Sequence, residues 1–394
     1  MYPFEIFILG IIMENQNHYD YIICGGGASG LILAQIFGND PYFENKKVLI
    51  LEKEIKSQND RTWSFWEEKN SVWDSIIHKA WKTAEFKAAH FSKKIDLNPF
   101  RYKMIRGEDF YKKLHEKLEK TSNITLLKDE VTSINDEGKE VRVFGKKNSY
   151  FAKKAFTSIP PSAHLHEKEK YPLLHQHFIG WFVKTENPIF DPETLQFMDF
   201  DLPQKGNTRF IYVLPFSKNK ALVEYTLFSA ILLENKEYED AILEYLNKKN
   251  AGKIVIQDRE QGSIPMTAYP FWNKNTANTM QIGTAGGWTK SSTGYTFQKT
   301  IRKAKETASY LKTGKPLNQM KQKNRFWFYD LLFLDVLSKH NEKGHLLFSL
   351  MFKKNNPELI FKFLDEKTTF IEELKIMLTF PVGLFINALW KRMF

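Results

Sequence analysis

A mixed α/β fold (α+β) is predicted by three features of the amino-acid sequence. These are a strand, glycine turn and helix pattern near residue 25, strand-like segments across residues 176–228, and a helical pattern from residue 324 onward. They indicate a Rossmann-like nucleotide-binding domain, an inserted antiparallel sheet and a helical C-terminal region. The predicted domains are a discontinuous nucleotide-binding domain (14–60, 100–160 and 270–320), a substrate domain (61–99 and 161–269) and the helical region (321–394).

The first element is the segment from Tyr19 to Gly30, which reads YDYIICGGGASG. Its apolar run predicts a buried strand that enters a glycine turn, and the apolar residues after it are compatible with a helix. Gly25, Gly27 and Gly30 occupy the positions of the dinucleotide fingerprint: a tight turn, close approach to a pyrophosphate, and packing of helix on strand. Ala28 and Ser29 would open the helix and offer backbone N–H groups to the phosphates.

The second element supplies the acid that completes such a site. Lys47 to Leu51 (KVLIL) predicts another buried strand, and Glu52, at its end, lies 27 residues after Gly25. A carboxylate there can bind a ribose hydroxyl pair, although the usual spacing is ~20 residues. The fingerprint alone fits FAD or NAD, and its place early in a chain of 394 residues favours FAD. Arg61 follows the same strand closely and is expected to face the cofactor.

A second glycine turn lies late in the chain. Met280 to Ile282 predicts a short strand, residues 295–311 predict a helix, and the connecting turn contains Gly283, Ala285, Gly286 and Gly287. Such a turn can bring backbone N–H groups to a phosphate or to a flavin ring. The alternative is a purely structural loop. Two strand–turn–helix sites far apart in the sequence are most simply explained by one shared ligand.

Between these sites the sequence predicts mostly strands. Helices are predicted at 109–120 and 238–248, and strands at 124–127, 140–144, 155–158, 176–185, 196–200, 209–214 and 221–228. The segment from Gln261 to Met266 is interpreted as a turn-rich return. The middle strands alternate in polarity, which is typical of an antiparallel sheet with one covered face.

Charge and cysteine content limit the partners. Lys and Arg total 57 against 46 Asp and Glu, a net charge of +11 spread in small groups without a nucleic-acid-binding motif. This fits an anionic membrane surface at least as well as nucleic acid. Cys24 is the single cysteine, so neither an internal disulfide nor a cysteine-based metal site is possible, and we expect no metal. A reducing cytoplasm is the expected compartment.

Both ends of the chain are apolar. Residues 1–12 are too short to span a bilayer of ~30 Å, and Met13 is expected to be an alternative start. Thr379 to Phe394 is also too short and interrupted to span. It is expected either to lie in a membrane interface or to pack as a terminal helix. Aromatic residues make up 15% of the chain, which fits either a Phe-rich core or a site for a long apolar ligand.

In sequence, the chain resembles the bacterial lycopene β-cyclases, which depend on FAD, from Tyr19 to about Phe380. The motifs that carry the resemblance are YDYIICGGGASG, NDRTWSFW, YKMIRGEDFY, HFIGWFV, LQFMDFD, YVLPFS, ALVEYTLF, GSIPM and GTAGGWTKSSTGYTF. Flavin hydroxylases usually have Asp after the glycine of the late turn, whereas Thr284 occupies that position here. This departure fits the cyclase pattern.

The resemblance implies an isomerase (an intramolecular lyase) that closes the ψ end groups of lycopene and other linear carotenes into β-ionone rings without net oxidation. It also implies that FAD acts in its reduced form with NAD(P)H as electron donor. Because lycopene is essentially insoluble in water, and because the chain has a basic excess and an apolar segment from Thr379 to Phe394, we expect a cytoplasmic protein that binds the inner membrane peripherally. An alkene is a very poor base, so the acid must be kept protonated in a dry pocket.

The resemblance and the apolar strand context point to Glu224 in LVEYTLF as this acid, with an exposed surface Glu as the alternative. Asp199 in FMDF is expected to share its proton or to position it. Arg106 is expected to fix a loop or a cofactor group. The ring faces of four aromatic residues are candidates for binding substrate and stabilising a cation, with core packing as the alternative: Trp181, Phe197, Tyr225 and Tyr295.

Two rival functions stay open at this point. One is another FAD enzyme acting on a hydrophobic isoprenoid, such as a monooxygenase or reductase, which would consume NAD(P)H in proportion to product. The other is a flavin- or carotenoid-binding protein without turnover. A buried acid argues against the carrier, which has no need of one.

Overall fold

The computed structural model describes residues 17–160 and 170–393, so the predicted start at Met13 lies outside the described residues. The N-terminal elements are β1 (His18–Cys24), α1 (Ala28–Asn39), β2 (Val48–Glu52), β3 (Thr62–Glu67), β4 (Lys79–Trp81), β5 (Thr83–Ala88), β6 (Phe91–Asp96), β7 (Arg101–Arg106), α2 (Gly107–Glu119), β8 (Ile124–Lys128), β9 (Val131–Asp136), β10 (Val141–Gly145) and β11 (Ser149–Thr157).

The middle elements are β12 (Leu174–Thr185), β13 (Thr194–Asp199), β14 (Thr208–Ser217), β15 (Lys220–Ser229), α3 (Asn235–Lys248), β16 (Ile254–Met266), β17 (Thr279–Gln281) and α4 (Phe297–Leu311). The helices after them are α5 (Arg325–Lys339), α6 (Gly344–Lys354), α7 (Pro357–Leu364), α8 (Phe370–Met377) and α9 (Val382–Met393). The predicted mixed α/β class is confirmed.

The first sheet has the strand order β8-β2-β1-β11-β10-β9, with β17 paired to β11. β1 runs parallel to β2 and β11, and β2 runs parallel to β8. Ile22 and Ile23 of β1 are both fully buried, which explains why the strand is apolar without alternation. α1 and α4 pack together beside this sheet, so the carboxyl ends of β1 and β17 meet the starts of the glycine turns.

The second sheet has the order β16-β12-β15-β14-β13-β5-β6, and its pairs are antiparallel except for β13 with β5. One face is covered by α3, and the other packs against the aromatic core shared with the C-terminal helices. The turn-rich interpretation of Gln261 to Met266 is wrong, because these residues are the second half of the edge strand β16. Gly262 and Pro265 are residues typical of turns, and they favoured the turn interpretation.

A small third sheet, β3-β7-β4, joins the two larger ones. It contributes Trp63 and Trp66, which are buried in two different cores. β7 lies just beyond the predicted boundary at residue 100 yet pairs with β3, so the chain crosses between domains within this sheet.

The C-terminal helices α5 to α7 pack against the aromatic face of the second sheet, whereas α9 packs on α5 and α8 contacts α7. In the part of the chain described here, no single helix is long and apolar enough to cross a membrane. α8 and α9 together meet that length and composition, but they are bent by 118° relative to each other. The described part of the apolar C-terminal segment is therefore a turn followed by helix α9.

Candidate active site

The first glycine turn has the geometry that the fingerprint requires. Gly25 has a φ of +113°, and a Cβ on it would lie 2.0 Å from Ser158 Oγ. A Cβ on Gly30 would lie 2.0 Å from the Gly25 carbonyl oxygen, so the helix can approach the turn only with glycine there. A Cβ on Gly27 would meet nothing within 4 Å. This open space in front of the α1 N-terminus is where the predicted pyrophosphate would lie.

Glu52 and the second glycine turn converge on the same place. The Gly26 backbone N–H donates to Glu52 Oε2 at 2.5 Å, so the carboxylate lies directly beside the first turn. Gly283, with a φ of +63°, approaches so closely that a Cβ on it would be 2.5 Å from Ser29 Oγ. A Cβ on Gly286 would lie 2.3 Å from the Gln281 carbonyl oxygen. The two turns thus form one backbone cradle around the start of α1.

A cavity of about 310 Å³ extends from this cradle, with Arg61 and Thr284 among its lining residues. It lies between the small sheet and the inner face of the second sheet. Its aromatic lining is formed by Trp63, Tyr102, Phe178, Phe197, Phe210, Tyr212, Phe228, Tyr295 and Phe297. Three carboxyl groups also line this cavity: Asp60, which is paired with Lys56 and Arg61, and the two glutamates Glu224 and Glu260.

The two glutamates lie on either side of Gly180. In the sheet register, Gly180 of β12 pairs with Glu224 of β15 on one side and with Glu260 of β16 on the other. A Cβ on Gly180 would lie 3.2 Å from Glu260 Cγ and 3.6 Å from Glu224 Cβ. Because paired residues of neighbouring strands point to the same face, both glutamates face the cavity, and Leu222 Cδ1 lies beside them, 3.0 Å from the Cβ position of Gly180.

This arrangement favours the protonated form of both groups. Burial, and then the charge of Glu260, raise the pKa of Glu224 to about 8, although the Thr226 hydroxyl donates to its Oε1 and opposes the rise. Burial raises the pKa of Glu260 to about 7, opposed by the Thr62 hydroxyl, which donates to its Oε2 at 2.6 Å. One carboxyl of such a pair therefore stays neutral near pH 7 and can donate a proton.

Three tyrosines, Tyr102, Tyr212 and Tyr295, line the same cavity as the two glutamates. The hydroxyl groups of Tyr212 and Tyr102 are 2.8 Å apart. Burial raises the pKa of Tyr102, Tyr212 and Tyr295 well above the ordinary value, and Glu224 contributes to each shift. The rings stay neutral, and their faces can stabilise a cation in the cavity, by ~2 kcal/mol or more where water is excluded.

A sequence model of the family described as "Lycopene cyclase protein" matches residues 20–389. The chain belongs to this family. It is also similar to a lycopene beta-cyclase from Paracoccus sp. (strain N81106 / MBIC 01143), with 30% identity over 125 residues. That alignment covers 30% of this chain and 32% of the relative's length.

Solved structures show the same fold at low sequence identity. A geranylgeranyl bacteriochlorophyll reductase-like protein from Thermoplasma acidophilum matches with a TM-score of 0.57 and 14% identity, covering 94% of this chain and 96% of the other. A flavin-dependent brominase matches with a TM-score of 0.58 and 14% identity, covering 95% and 99%. A flavoprotein/dehydrogenase from Cytophaga hutchinsonii matches with a TM-score of 0.59 and 12% identity, covering 88% and 92%.

The structure corrects the expected position of Asp199 in this family member. Asp199 pairs with Ile211, on the face of the sheet that packs against α3, and it does not line the cavity. Burial raises its pKa, and its influence on the pKa of Tyr245 puts it near α3. Register shifts in β13 between Gln196 and Asp199 reverse the alternation that would have turned it inward. Asp199 therefore does not share a proton with Glu224; Glu260 is placed to do so.

The four aromatic candidates divide equally between the two faces of the sheet. Phe197 and Tyr295 line the cavity, as expected. Trp181 and Tyr225 do not line the cavity and belong to the core under α3, which agrees with the core-packing alternative. The Tyr225 hydroxyl accepts a hydrogen bond from Arg209 at 3.1 Å, and the Arg259 guanidinium lies 5.3 Å from the Trp181 ring centroid. Both have structural roles.

The two arginines have different surroundings. Arg61 lies at the cavity edge with its side chain about half exposed, paired to Asp60 Oδ2 at 3.1 Å. Arg106 Nη2 instead donates to Asp258 Oδ2 at 3.0 Å, and its guanidinium covers the Phe182 ring at 5.2 Å. Arg106 thus ties the small sheet to β16, in agreement with the loop-fixing interpretation rather than with cofactor contact.

Sequence reasoning missed Glu260, Tyr102 and Tyr212. Glu260 belongs to the segment QDREQGSIPM, whose alternation of exposed and inward residues resembles a charged loop. Tyr102 and Tyr212 belong to the motifs YKMIRGEDFY and YVLPFS, but nothing in either motif indicates that the two side chains line one cavity. No group of three or more His, Cys, Asp or Glu side chains arranged for a metal is found among the residues described here.

Proposed function

We propose that this protein is a lycopene β-cyclase of carotenoid biosynthesis, which converts the ψ end groups of lycopene to β-ionone rings to give γ-carotene and β-carotene. The observation that carries the proposal is the Glu224 and Glu260 pair in an aromatic cavity beside a dinucleotide cradle. Family membership supports the substrate class, a linear carotene.

The acid pair fits a proton-initiated cyclisation. Protonated Glu224 donates to the terminal double bond of a ψ end group and leaves a tertiary cation next to its carboxylate. The neighbouring double bond attacks this cation and closes a six-membered ring. Loss of a ring proton then restores a double bond, and Glu224 or Glu260 can accept that proton. One proton enters and one leaves, so the conversion needs no net oxidant.

The tyrosines and apolar walls serve the cation rather than the proton. The faces of Tyr102, Tyr212 and Tyr295 stabilise positive charge without providing a strong nucleophile, since burial keeps their hydroxyls protonated. Phe197, Phe210 and Phe228 exclude water that would otherwise trap the cation as an alcohol. A carotene end group is wholly apolar, in keeping with such walls.

The cofactor that we propose is FAD, bound without a covalent link. Gly27 leaves the space that a pyrophosphate needs, the α1 N-terminus supplies N–H groups, and Glu52 is placed for the ribose. Thr284 and the turn from Gly283 to Gly287 would face the flavin end. When bound and reduced by NAD(P)H, the flavin would supply negative charge beside the cavity.

A cytoplasmic location with peripheral attachment to the inner membrane is part of the proposal. Carotenes are almost insoluble in water, so the substrate must arrive from lipid. Leu378 of the turn before α9 and Phe370 of α8 are 75% and 61% exposed, an apolar surface in keeping with that route. The net charge of +11 favours an anionic bilayer.

The deciding experiment is expression in a bacterium that accumulates lycopene, with pigments separated by chromatography. A lycopene β-cyclase produces monocyclic and bicyclic carotenes. The purified, flavin-loaded protein should do so while NAD(P)H is consumed in far less than one equivalent per ring. Stoichiometric consumption would identify a monooxygenase or reductase, and unchanged lycopene with flavin bound would identify a carrier.

A further inference from the structure

A second, apolar cavity of about 310 Å³ lies among the C-terminal helices. We propose that it holds the distal part of the linear carotene while the reacting end group occupies the cavity of Glu224. This inference rests on the proposed function and extends it to where the rest of the substrate lies. Below, the two are called the helical cavity and the acid cavity.

The helical cavity is lined mostly by apolar side chains, which suits an apolar ligand. Phe333, Phe348, Phe363, Met377 and Phe385 are among its lining residues. Of its polar residues, Ser292, Tyr329 and Asp330 are hydrogen-bonded within the protein, whereas the buried Thr293 hydroxyl has no hydrogen-bond partner. Asp330 Oδ1 accepts from Lys290 Nζ at 2.9 Å and from Ser292 Oγ at 2.7 Å, and the Tyr329 hydroxyl donates to Glu373. A ligand there has little to bind except hydrocarbon surface.

The two cavities share a wall. Thr293 lines both of them, in the loop between the second glycine turn and α4. Farther along, the Phe228 ring of the acid cavity packs against the Phe348 ring of the helical cavity with centroids 6.0 Å apart. One residue therefore separates the cavities at Thr293, and two packed rings separate them at Phe228 and Phe348. Rotation of these side chains would join the two cavities into one channel.

Size also indicates that the acid cavity alone is too small. Sites that bury a drug-sized ligand measure roughly 300–1,000 Å³. The acid cavity, at about 310 Å³, is at the lower end of that range, and a carotene is longer than such a ligand. With one end group beside Glu224, most of the polyene must extend elsewhere, and the helical cavity adds a similar volume.

The helical cavity opens where an apolar substrate would enter. Leu378 and Val382, between α8 and α9, line the cavity and are 75% and 56% exposed. The bend of 118° between these helices separates their ends at this mouth. The surface near the opening is apolar too, with Ile371 69% exposed, so a carotene could pass from lipid into the cavity without crossing water.

The test uses the flavin-loaded, full-length protein and two substrates. One is lycopene, and the other is a shortened polyene that keeps one ψ end group but is too short to reach beyond the acid cavity. Met377→Trp partly fills the helical cavity at a position that is only partly buried. Leu346→Trp, at a 50% exposed position on α6 that does not line the cavity, is the matched control.

We expect Met377→Trp to lower kcat/KM for lycopene at least tenfold while that for the short polyene stays within twofold of wild type. Leu346→Trp should leave both values unchanged. If Met377→Trp does not accumulate, Leu378→Trp at the exposed mouth replaces it with the same expectation.

Normal turnover of lycopene by the filled variant would overturn the inference and leave the proposed function intact. Equal loss on both substrates, with flavin content and melting temperature as in wild type, would also overturn it, because the effect would not depend on the distal chain. Failure of the wild-type protein on both substrates would instead refute the proposed function, and the inference with it.

Discussion

Glu224 and Glu260 lie on strands that are not neighbours, yet both face one cavity because each pairs with Gly180 on the strand between them. Glu260 is buried and Glu224 is partly buried; loss of solvation raises the pKa of Glu224, and the charge of Glu260 raises it further. The pair thus stores a proton in an aromatic cavity at neutral pH. The predictions about catalysis below follow from this arrangement.

Glu224→Gln should abolish most cyclisation. The amide keeps the shape of the side chain but cannot donate a proton of the required acidity, so the rate should fall by the ~10²–10⁴-fold that general-acid help provides. Flavin content should stay near wild type, because the cradle lies around Gly25 and Glu52. Rates from chromatography of carotene products check this.

Asp199→Asn is the control for this substitution, since Asp199 is a buried carboxyl but lies on the α3 face of the sheet. It should cyclise lycopene at close to the wild-type rate. A Glu224→Gln protein that holds flavin and turns over normally would exclude Glu224 as the acid. A loss in Asp199→Asn equal to that in Glu224→Gln would mean that the two act as a unit despite their positions.

The pH profile should report the raised pKa of Glu224. The active form is protonated, so activity should be present below the pKa of about 8 and fall as pH rises through it. Glu260→Gln removes the charge that helps to raise this pKa. The alkaline fall of the profile should therefore move to lower pH in that variant. An unchanged alkaline limb in Glu260→Gln would contradict the coupling of the two carboxyls.

Stability should depend on pH through the same residue. The folded pKa of Glu224, about 8, lies above its ordinary value of 4.5, so between these values the folded protein keeps a proton that the unfolded chain has lost. The free energy of unfolding should fall as pH rises across this window. Urea unfolding at several pH values should show a smaller fall in Glu224→Gln. An equal fall in both proteins would assign the dependence to other groups.

The cofactor cradle was predictable because its requirements are local. Gly25, Gly27 and Gly30 have conformational and spatial roles that few other residues can fill, and Glu52 follows a strand whose two faces are both buried. The late turn at Gly283 was also located correctly from its strand–turn–helix pattern. Their meeting at Ser29 followed from the assumption of one shared ligand.

The acid site was only half predictable, because it depends on register between strands. Alternation predicts that Glu224 and its neighbour Tyr225 face opposite sides, so expecting both in one site was inconsistent with the strand itself. The bulge before Asp199 leaves no clear pattern in the sequence. The position of Glu260 could be predicted only from the pairing of β16 with β12, in which Gly180 pairs with a residue 80 positions later in the chain.

Gly27→Val should remove the flavin. The added side chain would meet no protein atom within 4 Å of its Cβ, so the fold should survive, but it would fill the space proposed for the pyrophosphate. The absorbance of purified protein checks this. Gly383→Val is the control, since a Cβ there also meets nothing within 4 Å and the position is far from the cradle in sequence.

Wild-type protein should release free FAD on denaturation. Flavin retained by the unfolded chain would contradict non-covalent binding.

Membrane attachment should depend on the apolar surface around α8 as well as on charge. Phe370 and Ile371 are 61% and 69% exposed and do not line the helical cavity, so replacing both with Ser should weaken binding to anionic vesicles with little effect on the fold. Ile231 is 80% exposed and lies just after strand β15 of the second sheet, so the Ile231→Ser variant should bind vesicles as the wild-type protein does. Co-sedimentation with vesicles at low and high salt measures both effects, and washing of native membranes with salt or carbonate should release much of the protein. If the double variant and the wild-type protein co-sediment with vesicles equally, the apolar surface of α8 does not contribute to attachment. If the protein stays in native membranes through both washes, it is an integral membrane protein.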